Sequence, residues 1–369
     1  MTATVYFCSA RARSESENKL QKIKRLALHA GLEKIVNKDD FCAIKLHFGE
    51  PGNDTHLHPG YARQIVDLVK EFGGKPFLTD TNTLYSGPRQ NAAEHLVAAY
   101  ENGFSYSVVK APILIADGLT GTNVTKVPVN GKHFKEVSIA SDILSANCMV
   151  VLSHVKGHEL AGFGGAIKNL AMGCAPAVGK QEQHQLRFHV DSKTCNQCGS
   201  CEKVCPTKAI LEEKNGSRKI NEEKCIGCGE CSTVCQIKAI SAVWETDIPS
   251  FMERMAEYAL GALYKKENNV IYINFLQNIT PDCDCVPWSD SLLVPDIGIL
   301  ASTDPVAIDK ASHDLITKAK GLPTTLATTI AKEGEDKFAA IWDYTQGLLQ
   351  VTYAEELKMG TQAYNLVTI

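Results

Sequence analysis

Eight of the chain's cysteines fall in two matching sets. Cys195, Cys198, Cys201 and Cys205 are followed by Cys225, Cys228, Cys231 and Cys235, and both sets read C-x2-C-x2-C-x3-C. The flanks repeat as well, Lys208-Ala209-Ile210 matching Lys238-Ala239-Ile240. Three thiolates at this spacing on a tight loop reach three corners of one Fe4S4 cube, and the fourth, on the turn that follows, reaches the other cube. The expected ligand sets are therefore Cys195, Cys198, Cys201 and Cys235 for one cluster, and Cys225, Cys228, Cys231 and Cys205 for the second. Small residues between the ligands (Gly199, Ser200, Gly227, Gly229) let backbone amides approach the sulfur atoms. Pro206 follows the first set, whereas Gln236 follows the second. Proline there only shapes the backbone, so Cys235 remains an expected ligand. A pair of four-cysteine zinc sites is the alternative, but such sites usually join two C-x2-C units across a longer spacer.

Internal duplication with this spacing is the arrangement of bacterial two-cluster ferredoxins. It predicts a small α+β module with two 4Fe-4S clusters over residues 189–245.

A second group of polar residues surrounds a glycine-rich stretch. Ser153-His154-Val155-Lys156-Gly157-His158-Glu159 leaves the end of an apolar run, where functional groups gather in open α/β sheets. Gly162, Gly164 and Gly165 then lead into a helix carrying Lys168 and Asn169. Unpaired amides at such a helix start suit a phosphate or carboxylate. His154, Lys156, His158 and Lys168 are thus candidate catalytic groups around an anionic substrate, with Gly162, Gly164, Gly165 and Asn169 as candidate cofactor contacts. A polar loop with a structural glycine turn is the plainer reading. Thr81 and Thr83, in a hydroxyl-rich loop after another strand, resemble the phosphate loop of flavodoxins and add FMN as a candidate cofactor. His47, His56 and His58 share a loop with Glu50 and Asp54 and form a further candidate cluster. Cys283-Asp284-Cys285 could hold an additional metal or act as a redox dithiol, with Cys174 as a possible third thiol. Cys8, Cys42 and Cys148 lie in strand-like runs and read as core.

These groups need a scaffold. The 369 residues are 44% apolar and 22% charged, which is a globular composition. The net charge is 38 − 42 = −4, which offers no basic surface for nucleic acid. No apolar run approaches the roughly 20 residues of a membrane span. No secretory leader is recognisable at the start, so 14 cysteines point to metal or redox chemistry in the cytoplasm.

Strands are predicted at Val5–Cys8, Cys42–Phe48, Lys75–Thr79, Ile113–Ile115, Met149–Ser153, Val270–Leu276 and Ile297–Leu300. Helices are predicted at Lys19–His29, Tyr61–Phe72, Asn91–Tyr100, Pro249–Tyr264 and Pro305–Lys318, the last capped by Asp304. An Asn-Gly turn at Asn130-Gly131 predicts a hairpin within Thr125–Ile139, making part of the sheet antiparallel. The expected architecture is α/β: a mixed, mostly parallel sheet with helices on both faces, built from residues 1–188 and 246–369 and interrupted by the ferredoxin insert. Two separate α/β lobes are the alternative.

With these segments in place, the chain resembles the iron-sulfur family called domain of unknown function 362, in particular members with a ferredoxin insert. The likeness rests on SHVKGHELAGFGGAIKNLAMGC (153–174), the double cysteine motif, INFLQNITPDCDC (273–285) and DIGILASTDPVAIDKAS (296–312). These lie on both sides of the insert and span most of the chain. The resemblance implies an oxidoreductase-like iron-sulfur protein of anaerobic prokaryotes but no particular reaction. Carried over by position, it draws attention to His154, Lys156, His158, Lys168, Asn169, Cys283, Cys285, Asp304 and Asp309.

The expected function is electron transfer between a redox partner protein, such as a ferredoxin, and a His/Lys/Cys-lined site on the α/β body. The alternative is an electron carrier without chemistry of its own, or a subunit of a larger redox complex. A plain carrier needs only the cysteine module, and the large remainder with its polar loops favours an enzyme.

Overall fold

The computed structural model describes the chain except for residues 1, 86, 185–186, 206, 226–230, 232–233, 238, 244–247 and 324–331. Cys228, Pro206, Gly227, Gly229 and Lys238 therefore lie outside the described residues.

Eight strands form the central sheet: β1 (Ala3–Ser9), β2 (Phe41–Lys45), β3 (Lys75–Asp80), β4 (Ile113–Ile115), β5 (Cys148–His154), β6 (Val270–Leu276), β7 (Gly298–Ser302) and β8 (Tyr364–Thr368). Their order is β8-β1-β7-β6-β5-β2-β3-β4. All neighbours pair parallel except β7, which is antiparallel to both β1 and β6. The expected mixed, mostly parallel sheet is thus present.

The side-chain pattern shows why helices cover both faces. Along β6, Val270, Tyr272 and Leu276 enter one apolar core, while Ile271, Ile273 and Phe275 enter another. A strand alternates its side chains between faces, so these are the two sides of the sheet. Helices Lys19–His29 and Pro59–Glu71 close one core. Helices Ala166–Gly173, Ile248–Ala262 and Pro305–Lys318 close the other. Cys8, Cys42 and Cys148 are fully buried among apolar neighbours, as expected of core residues.

The Asn-Gly hairpin forms, with Asn130 at φ 49°, but its strands Val124–Pro128 and Glu136–Ala140 make a separate two-stranded sheet. Val124–Pro128 is exposed at all but one position and has no second apolar face to offer the central sheet. The antiparallel member of that sheet is β7 instead.

Residues 187–243 hold two antiparallel ribbons, Arg187–Val190 with Ile240–Val243 and Ile210–Glu212 with Arg218–Ile220. They surround a small apolar cluster of their own that includes Val190, Ile210, Ile220 and Ile240. Among the described residues, no helix is long and apolar enough to cross a membrane.

Candidate functional site

A cavity of about 810 Å³ opens beyond the carboxyl ends of β2, β3 and β5. Those strand ends deliver its first charged groups. Lys45, the last residue of β2, stands 2.9 Å from the Asp80 carboxylate at the end of β3 and donates to Asn169 Oδ1 at 2.7 Å. Burial works against a charge on Asp80, but Lys45 and neighbouring His47 outweigh it and hold the carboxyl below its ordinary range. Asn169 in turn donates to the Leu152 carbonyl at 3.0 Å and to Ser153 at 3.1 Å. It therefore braces the strand ends rather than presenting free hydrogen-bonding atoms.

Asp284 organises the next wall. Lys156 Nζ lies 2.6 Å from Asp284 Oδ1, and His154 Nδ1 lies 2.9 Å from Oδ2. His154 Nε2 is 2.6 Å from the Gln277 carbonyl. Carboxylate and carbonyl oxygens only accept here, so both ring nitrogens of His154 donate. Burial opposes ionisation of Asp284, but His154 and Lys156 beside it keep the carboxyl well below the usual range. Two of the four side chains expected to act on substrate are thus committed to fixing the Cys283–Cys285 loop. Tyr85 Oη donates to the Cys285 carbonyl at 3.2 Å, and the Glu50 amide donates to the Asp284 carbonyl at 3.0 Å. Arg89, buried and paired with Glu50, also hydrogen-bonds Tyr85.

His158 and Lys168 remain turned to the cavity. His158 Nδ1 accepts from the amides of Leu160 and Ala161, both at 3.1 Å. Burial, with Lys168 and His184 nearby, pushes its pKa well below the ordinary imidazole value. The ring is therefore neutral, with its proton on Nε2. Among the described residues, Lys168 has no hydrogen-bond or ion-pair partner. Burial pulls its pKa down to about 8, against the opposing pull of Asp284 and Glu159. Lys180 is also brought down to about 8 by burial, but its ammonium is spent on Thr81 Oγ1 and the carbonyls of Asn82 and Ala175.

Cys283 and Cys285 line the same cavity and are disulfide-bonded to each other. Their sulfur atoms and one ring nitrogen of His158 lie within 4.8 Å of one another, so with the disulfide reduced the three could hold a metal ion. Cys174 does not join them. It is fully buried, and burial drives its thiol up to about 11.

Several expected contacts are differently employed. The start of helix Ala166–Gly173 is not open to a ligand, because Asp309 accepts from the Ala166 amide at 2.7 Å and the Ile167 amide at 2.9 Å. The protein's own carboxylate fills the anion position. Gly162 and Gly164 form a short strand paired with Lys156–His158, and a side chain at Gly165 would collide with Asp309. Thr81 donates to the Ala175 carbonyl at 2.8 Å and Thr83 to the Tyr85 carbonyl at 2.9 Å. Both line the cavity, but Thr81 ties the loop to the residues after helix Ala166–Gly173 and Thr83 closes the loop on itself. Of the three loop histidines only His47 reaches the cavity. His56 bridges the carbonyls of Asn53 and Asn102, and His58 caps helix Pro59–Glu71.

Asp80, Arg89 and Asp284 are not singled out by spacing, whereas Glu50 belongs to the loop cluster with His47. The available signal is position: Asp80 ends a strand and Asp284 lies between two cysteines already marked, whereas Arg89 has no such signal.

In the cysteine-rich segment, Cys195, Cys198, Cys201 and Cys235 line one small cavity. Cys205 Sγ accepts from the Ala209 amide and Cys235 Sγ from the Ala239 amide, both at 3.2 Å. The sequence repeat is therefore also a repeat of hydrogen bonds. Phe188 packs against this segment's apolar cluster and also lines the large cavity.

Among curated proteins, the chain is 25% identical over 157 residues to the thylakoid-associated protein sll1697 of Synechocystis, covering 42% of this chain and 45% of that one. The match thus spans less than half of that relative's length. Among solved structures, it aligns with the lactate racemase apoprotein of Thermoanaerobacterium thermosaccharolyticum at a TM-score of 0.36 and 12% identity, covering 74% of this chain and 51% of that chain. A Thermotoga maritima structural-genomics protein aligns at a TM-score of 0.38 and 9% identity, covering 72% and 52%. The family described as "Domain of unknown function (DUF362)" matches residues 42–314, which include the cavity-lining strands, the glycine-rich segment and the Cys283–Cys285 loop. The chain belongs to the DUF362 family.

Proposed function

We propose that the protein is an iron-sulfur oxidoreductase. In this reading residues 189–245 are a two-cluster ferredoxin module inserted into an α/β body formed by residues 1–188 and 246–369. A redox partner protein feeds the module, which in turn serves the large cavity. The observation that carries the reading is the position of Phe188, which touches the cysteine module's apolar cluster on one side and the cavity on the other.

Two further features support it. The four cysteines expected to hold one cluster, Cys195, Cys198, Cys201 and Cys235, line one cavity, and the described cysteines of the second set are not disulfide-bonded. Bound there, 4Fe-4S clusters would supply electrons one at a time. The body's own residues bind and position the substrate. Among the described residues that line the cavity, Lys168 is the cation left for it, because Lys45, Lys156, Lys180 and Arg89 are all engaged. The substrate is therefore a small anion, with Glu159 and His158 available beside it.

Metal and sulfide analysis of anaerobically purified protein tests the module. About eight iron and eight sulfide per chain, with absorbance that bleaches on dithionite addition, is the expected result. Colourless protein with zinc in place of iron would overturn the reading.

A further inference from the structure

We propose that Cys283 and Cys285 are a reversible dithiol–disulfide pair that reduces a small anionic disulfide, with His158 hydrogen-bonding the thiolate and Lys168 holding the substrate's anionic group. The inference rests on the preceding reading only for its electron donor.

Four features converge. Both sulfur atoms line the large cavity and are bonded to each other. The backbone between them is held by the Asp284 carboxylate on Lys156 and His154, and by the Asp284 and Cys285 carbonyls on the Glu50 amide and Tyr85. The loop can therefore change the bonding of its sulfur atoms while its anchor stays in place. A ring nitrogen of His158 lies within 4.8 Å of both sulfur atoms. Lys168 faces the same space and, among the described residues, has no partner of its own.

The hydrogen bonds of His158 favour this chemistry over metal binding. Nδ1 is occupied by two backbone amides, which leaves the ring proton on Nε2. A metal could take Nδ1 only by breaking both amide bonds. It could take Nε2 only if the proton moved to Nδ1, where it would meet those two N–H groups. That N–H belongs to a ring beside both sulfur atoms and is the donor that would stabilise a thiolate in the reduced pair.

The step balances. The Cys283–Cys285 disulfide takes up two electrons, in two single transfers from a reduced iron-sulfur carrier, and one proton from water in the cavity. Its S–S bond breaks to give one thiol and one thiolate. The thiolate attacks a sulfur of the bound substrate disulfide and expels the first substrate thiolate. The second cysteine, giving up its proton, then attacks the mixed disulfide, re-forming the Cys283–Cys285 bond and releasing the second thiolate. Two electrons reach the substrate, and its two thiolates take up protons from the thiol and from solvent.

The test uses the full chain, equilibrated anaerobically in reduced and oxidised glutathione at graded ratios. The samples are quenched in acid, alkylated, and analysed by mass spectrometry of the peptide carrying residues 283–285. The expected result is a reversible gain of two labels together. His158→Leu, which has no donor, should shift that equilibrium about tenfold toward the disulfide, the effect of losing one hydrogen bond to a charged sulfur. Lys168→Met should slow oxidation by glutathione disulfide at unchanged thermal midpoint, and it keeps the test decisive if the histidine variant does not fold. A peptide that stays in one state at every ratio would overturn the proposal. So would labelling blocked until a chelator removes an equimolar metal ion, or a folded His158→Leu that titrates as wild type. The two readings fail separately. Protein without iron or sulfide that still titrates removes only the electron donor, whereas bleachable protein with an inert peptide removes only the pair.

Discussion

Lys156 Nζ stands 2.6 Å from Asp284 Oδ1, with the two side chains 1% and 5% exposed. A buried ion pair is weak evidence of net stabilisation, but removing one partner strands the other charge. Lys156→Met should therefore cost about 3–5 kcal/mol of unfolding free energy, read from the urea midpoint at pH 7. Replacing Lys156 and Asp284 together by apolar residues should cost less than the sum of the single changes. Additive losses would show that the pair is not a coupled unit.

Acid should destabilise the protein through its buried histidines. His95 is fully buried and, among the described residues, neither of its ring nitrogens has a hydrogen-bond partner. Burial lowers its pKa to about 3 from an ordinary 6.5, and that of His184 to about 4. The unfolded chain takes up these protons first, so the stability from neutral burial is complete above pH 6.5. It is lost as pH falls toward those folded values. Asp309 acts in the opposite sense, since burial raises it to about 6, and it offsets one of the two histidines between about pH 6 and 4. His95→Leu should recover about 2 kcal/mol of the wild-type loss between pH 7 and pH 5. Urea unfolding at the two pH values measures it, and an unchanged acid limb would exclude His95 as the source.

The parts of this design that depend on neighbours in sequence were legible. Ile113–Ile115, Val270–Leu276, Lys19–His29 and Pro305–Lys318 were expected within the bounds the structure shows, because apolar period and caps are local signals. Asp304 caps its helix as its position before Pro305 implies. What could not be read is the choice of distant partner. Asp284 pairs with Lys156 across 128 positions, and Asp309 caps helix Ala166–Gly173 across 143. Spacing marked Cys283 and Cys285 on either side of Asp284, but nothing local shows that His154 and Lys156 are spent on that carboxylate. The helix start was open in sequence and is closed only by tertiary packing.

Lys168 should set substrate affinity without touching the cysteine module. Its ammonium faces the cavity, and burial brings its pKa to about 8, so part of the population is neutral at mildly alkaline pH. Removing the charge should weaken binding of an anionic substrate by about tenfold or more, the loss of one charge-assisted hydrogen bond. Lys168→Met should therefore raise KM, with iron content and cluster absorbance as in wild type. Wild-type affinity should also fall as pH rises through 8. A variant with unchanged KM would move the anion site elsewhere in the cavity.

Gly165 and Asp309 make the last test. The Asp309 carboxylate sits where a Gly165 side chain would be, and it caps the two amides that open the helix carrying Lys168 and Asn169. Gly165→Ala should push the carboxylate off its amides and cost about 1–3 kcal/mol from overpacking. Asp309→Asn keeps the shape but loses the charge at the helix start, and should cost about 0.5–2 kcal/mol. If the clash is the cause, Gly165→Ala should do less damage in an Asp309→Gly background, where the space is already empty. Thermal unfolding of the single and double variants decides it. Equal losses in both backgrounds would place the strain in the Gly165 backbone rather than in its contact with Asp309.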